Sequence, residues 1–177
     1  MAFGYGVPPR GYADLAFLQH MISVLNQDGK LGIVLLKDAS IKGASIAFNH
    51  SKFTARVNPD VADRMKAIDN ALEGFAREKA IQKITPRINK WSQTTGLTPT
   101  GFQFRKLTKR WGSCTNANEI IINYDAIKLP FTLIDYIIVH ELGHIKHKDH
   151  SKDFYREVAK HIPDWKELDE KLCGMKL

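Results

Sequence analysis

The chain has 177 residues, 44% hydrophobic and 25% charged, the composition of a soluble globular protein with enough apolar mass for a real core. It contains no run near the ~20 apolar residues that span a bilayer, so no membrane partner is expected, and Met1–Arg10 lacks the basic start and apolar core of a secretory signal. Part of the net charge of +7 sits at Arg105, Lys106, Lys109 and Arg110, a face open to nucleic acid or acidic protein but most simply a solvated basic surface. Cys114 and Cys173 form no CxxC pair, which suits free thiols and a cytoplasmic location.

Residues 1–12, rich in glycine, proline and aromatics, read as an irregular lead-in. Leu15, Leu18, Ile22 and Leu25 then recur at a helical period within Asp14–Asn26, and Asp28-Gly29 turns the chain into a short apolar strand over Leu31–Leu36. The segments YGVPPRGYADLAFLQHM and DGKLGIVL within residues 3–38 resemble a piece of the N6-adenine DNA methylase subunits of type I restriction–modification systems. The glycine-rich cofactor loop and the catalytic motif of those enzymes are absent, so no methylase activity is carried over.

Ile46, Phe48, Phe53, Ala55 and Val57 alternate loosely and place two short strands around Asn49-His50-Ser51. Asn58-Pro59-Asp60 opens a long helix, with apolar positions from Val61 through Ile84; Pro86 is expected to kink or restart it, and it ends before Gly96. Gly101–Leu107 and Ile120–Ile122 read as strands, one of them suited to pairing with an extended peptide substrate.

From Phe131 to Val139 every residue is apolar except Thr132, Asp135 and the half-polar Tyr136, the signature of a buried helix; Pro130 and Thr132 suggest its start, with Asp135 in a capping-box-like position. At its end stands His140-Glu141-Leu142-Gly143-His144. Four helical residues advance about 6 Å and turn little more than a full circle, so His140 and His144 share a face and can share one metal ion. Glu141 is the next residue round, where its carboxylate can reach a water that the metal acidifies to a pKa of roughly 7. This is the logic of the HExxH zinc hydrolases. A third ligand is required. His147 would lie about 10 Å along the axis from His140, an awkward reach. If the helix ends near His147, the returning chain aims His150 at the metal, with Ser151 capping the next helix. His150 is therefore the expected ligand and His147 its rival, otherwise a neighbour of the site or a surface residue. The His140-His144-His150 spacing equals that of metzincins, but their glycine is missing at position 147 and no Met-turn is evident.

The segments KRWGSC, EIIIN, Pro130 with IDYIIVHELGHIKHKDHSKDF, and Pro163-Asp164-Trp165-Lys166, in that order, resemble the YgjP-like metallopeptidase family, which is related to the SprT zinc peptidases. The resemblance covers roughly residues 76–177. It implies a zincin-like fold, zinc on His140, His144 and His150, Glu141 as catalytic base, and an N-terminal β-rich part that is shortened or replaced here.

The resulting expectation is an α+β, zincin-like domain over residues 59–177, its active-site helix packed on a small, mostly antiparallel sheet, behind an N-terminal appendage over 1–58. Its cofactor is Zn2+ and its substrate a peptide or protein. Arg110 is a candidate to steady a substrate carbonyl, and Tyr136, one turn before His140, to contact the site. Asp135 and Asp149 are candidates to orient a ligand imidazole. Trp111 is expected in the core or the cleft wall, and Cys114 as a small buried hydrophobe. The alternative is a non-catalytic or DNA-associated module that partners nucleic acid or restriction–modification subunits.

Overall fold

The computed structural model describes residues 34–49 and 52–175. The helix expected over Asp14–Asn26 lies outside them, as does the strand expected over Leu31–Leu36 except for its end, which falls in β1 (Val34–Lys37). The chain divides into two units, Met1–Ala76 and Arg77–Leu177. In the first, β2 (Ala44–Asn49) and β3 (Lys52–Val57) form the expected antiparallel hairpin, and β1 adds to β3 in parallel, giving the order β1-β3-β2. Ala55 and Val57 alternate inward on the central strand, whereas Leu35 and Leu36 of β1 stay exposed.

Helix α1 (Arg64–Thr95) starts in the first unit and runs into the second. Pro86 lies inside it; of the expected kink or restart, no restart occurs there. A proline removes one backbone hydrogen bond, and the full burial of Ile84 and Ile88 on either side holds the helix across that gap. Gly96, at φ +70°, supplies the left-handed residue that stops it.

The second unit carries a sheet of β4 (Gly101–Arg105), β5 (Gly112–Cys114) and β6 (Glu119–Asn123) in the order β4-β6-β5. The α+β class is as expected, but the sheet is mixed: β4 runs parallel to β6 and β5 antiparallel. The parallel pair is possible because the chain between β4 and β6 loops out and adds β5 on the far side. The turn back from β5 to β6 closes on Asn118, at φ +62°, a conformation asparagine tolerates. Ile120 and Ile122 of β6 are fully buried.

A 3₁₀ turn (Tyr124–Lys128) leads to α2 (Phe131–Lys146), which buries Leu133, Ile134, Ile137, Ile138, Val139 and Leu142. Its first turn has no side-chain cap. Asp135 instead accepts two hydrogen bonds from Arg87 of α1, at 2.7 and 2.5 Å, with the guanidinium stacked on Phe131. Ser151 caps α3 (Lys152–His161) by accepting from the Phe154 amide, as expected, and α4 (Trp165–Cys173) follows. Phe154 and Val158 of α3 complete the core, each worth roughly 2 kcal/mol of apolar burial.

The end of α2 is tied to α3 by Glu157, whose carboxylate, 11% exposed, accepts from Lys146 at 2.8 Å and Lys160 at 2.9 Å. These hydrogen bonds hold its pKa down to about 2. A depressed carboxylate stabilises the fold above its unfolded value near 4.3 and loses that contribution as the pH falls toward 2. Both lysines are exposed, so the contribution is about 1 kcal/mol. Glu157→Gln should melt several degrees below wild type at pH 7, with the difference closing near the bottom of that window. Parallel melting curves across the whole range would refute this.

Candidate metal centre

The phase of α2 sets the site. His140 and His144 leave it on one face, ring centroids 5.0 Å apart. The helix ends at His147, whose φ of −126° is extended, and the chain returns before Ser151 starts α3. That return brings the exposed His150 to the pair, its centroid 5.0 Å from His140 and 4.6 Å from His144. The Nε2 atoms of His140 and His150 are 3.0 Å apart, and one nitrogen from each of the three rings lies within 4.8 Å of the others. A tetrahedral ion with bonds of ~2.0 Å spaces its ligand atoms by roughly 3.3 Å. Three imidazoles at this separation are a donor set of the size and chemistry a divalent metal takes.

The outer nitrogens of two rings are held. His144 Nδ1 lies 3.0 Å from the His147 carbonyl, which can only accept, so the proton is on Nδ1 and the Nε2 lone pair is free. His140 Nδ1 lies 3.4 Å from the Tyr136 hydroxyl, which itself donates to Asp169 Oδ1 of α4 at 2.8 Å. With its proton committed to Asp169, the hydroxyl oxygen faces His140 as an acceptor and selects the same tautomer. Burial, then Asp169, pushes the Tyr136 phenol well above its ordinary pKa, so the hydroxyl stays a donor. Burial and the two neighbouring imidazoles lower His140 to about 3, leaving it neutral near pH 7, and burial lowers His144 as well.

The third ring is braced by packing. His150 faces Tyr155 at 6.0 Å between centroids and 29° between planes, and Tyr155 stacks on Trp165 at 4.3 Å and 18°. Phe154 underlies all three histidines, with centroids at 4.9, 4.5 and 5.0 Å. Gly143 makes room for that ring, since a Cβ there would come within 3.0 Å of Phe154 Cε2.

Glu141 points the other way round the helix, onto β5. A Cβ on Gly112 would lie 2.6 Å from Glu141 Oε1 and 2.8 Å from Cγ, so the strand accepts this side chain only because residue 112 has none. The carboxyl is 6% exposed, and burial raises it to about 8 against the opposing pull of Arg110. The three histidines and Glu141 open on a cleft of about 710 Å³, lined also by Arg110–Cys114 and by Leu172 and Cys173 of α4.

His140, Glu141, His144, His150, Tyr136 and Arg110 thus line one cleft. His147 is at the helix end, and its backbone carbonyl rather than its ring meets the cluster. The acceptors for the outer ring nitrogens are Tyr136 and that carbonyl; Asp135 is engaged by Arg87, and Asp149 plays no such part. Trp111 and Cys114 line the cleft wall, with burial raising the Cys114 thiol, which keeps it protonated. Phe154, Gly112, Tyr155, Trp165 and Asp169 were not singled out in the sequence as site residues. Each is an ordinary residue of an amphipathic helix or a short strand, and the signal for three of them was membership of a family motif: Gly112 in KRWGSC, Phe154 at the end of HSKDF and Trp165 in Pro163–Lys166.

No curated protein matches the chain. Among solved structures, the metallopeptidase zymogen of Pyrococcus abyssi abylysin aligns at 23% identity with a TM-score of 0.46, covering 50% of this chain and 90% of that one. The zymogen of Methanocaldococcus jannaschii jannalysin aligns at 19% and 0.46, covering 51% and 94%. The YgjP-like metallopeptidase domain model matches residues 22–174, beginning well before the motifs that carry the resemblance in the sequence and taking in β1, β2 and β3. No described helix is long and apolar enough to cross a membrane. With that match across most of its length, and three histidines gathered where a metal can be held, the chain belongs to the YgjP-like metallopeptidase family.

Proposed function

We propose that this protein is a zinc-dependent peptidase in which His140, His144 and His150 hold Zn2+ and Glu141 is the general base. The observation that carries the reading is the juxtaposition of three imidazoles with a buried carboxyl on one open cleft. When bound, the metal supplies Lewis acidity, polarising the scissile carbonyl and acidifying water. Glu141 takes the proton of the attacking water and delivers it to the leaving amine. Tyr136 and the His147 carbonyl fix the ring planes of His140 and His144 throughout. The cleft-side edge of β5 pairs with no described strand, and it binds the substrate backbone in extended form. Arg110, beside that edge, steadies the carbonyl oxygen. Residues 59–177 form the peptidase domain, with 1–58 as an appendage to it.

Metal analysis of purified protein tests the ligand set. Wild type and His147→Ala should each carry about one equivalent of zinc after gel filtration, whereas His150→Ala should lose most of it. The opposite pattern would exchange the roles of His147 and His150. Absence of metal from wild type, even after loading, would sink the reading.

A further inference from the structure

We infer that the cleft selects peptides with acidic side chains on both sides of the scissile bond. The inference rests on the peptidase reading and adds its substrate class. Three cations stand on the cleft: Lys109 and Arg110 just before β5, and Lys148 beyond its other end. Among the described residues none of them forms an ion pair. Two are fixed by the fold. Lys148 donates to the Thr115 carbonyl at 3.2 Å and to Asn118 Oδ1 at 2.5 Å, anchoring it to the β5–β6 turn with a third N–H to spare. Arg110 donates to Ser113 Oγ at 3.3 Å. The loop that carries Lys109 and Arg110 is pinned from beneath by Asn123, fully buried, whose amide donates to the Leu107 and Arg110 carbonyls.

The opposing charge is already spent. The acidic residues lining the cleft are Glu141, the proposed base, which is packed on Gly112, and Asp169, which accepts from Tyr136. A peptide paired along β5 would therefore pass a cation at each end. From Arg110 to Thr115 is five residues, about 17 Å of extended chain. Carboxylates about two residues either side of the centre would meet them.

The test is a binding measurement on zinc-loaded Glu141→Gln protein, so that cleavage is not required. Three fluorescent peptides share one apolar centre and are flanked on both sides by Glu, Gln or Lys. At low salt the Glu-flanked peptide should bind about tenfold more tightly than the Lys-flanked one, with Gln between, and the gap should shrink at about 0.5 M salt. Lys109→Glu combined with Arg110→Glu should reverse the order, which a merely unfolded variant cannot do. Equal affinities, an unchanged order in the double variant, or no peptide binding where duplex DNA does bind would each overturn the inference. Wild type that cleaves none of the three peptides counts against the peptidase reading instead, and the binding series still decides the charge preference.

Discussion

Replacing Glu141 with glutamine should lower peptide hydrolysis about a thousandfold while leaving the metal in place, a loss typical of removing a positioned general base. The exchange preserves shape and takes away only the capacity to accept a proton. It should also cost little stability: burial already favours the neutral form of this carboxyl, and an amide is neutral at every pH. The measurement is kcat/KM beside metal content and melting temperature on the same preparation. A variant that keeps its metal and its full rate would move the proton transfer to another group.

The second large effect is expected at a residue with no chemistry of its own. Gly112→Ala puts a methyl where Glu141 Oε1 and Cγ now lie, at 2.6 and 2.8 Å, well inside any normal contact. Because α2 packs against β5 and Glu141 is buried, the carboxylate must swing away from the strand, and the group displaced is the one proposed as the base. A displacement of an ångström in a reacting group costs roughly a hundredfold in rate. The histidines lie on another face of the helix, so metal binding should be nearly unchanged. Full activity in Gly112→Ala would show that the base works from a different position. Loss of metal along with activity would show that the strain spreads through the helix instead.

The parts of this protein that were legible in its sequence are those written as local periodicity. The apolar run before His140 announced a buried helix, the four-residue spacing put His140 and His144 on one face, and Ser151 marked the next helix start. What stayed hidden depends on contacts distant in sequence. β5 is three residues long, too short to alternate, and exists because β6 offers it a partner. Asp169 sits in a charged helix, where an acid reads as solvated; only the packing of α4 beside Tyr136 turns it toward the site. Asp135 seemed placed to cap its helix or orient a ring, but Arg87, 48 residues away, takes both its oxygens. Pro86 was expected to kink or restart its helix, and the buried isoleucines on either side carry the helix through it without a restart.

Asn123 has a consequence of another kind. One enclosed amide fixes the course of the Leu107–Arg110 segment through its main-chain carbonyls, and its own oxygen takes the Asp125 amide. Carbonyls are common to every residue type, so the path of that segment is written elsewhere in the chain and is indifferent to the side chains hung upon it. Substitutions at Thr108 and Lys109 should thus alter the charge presented to the cleft while leaving the backbone that presents it in place.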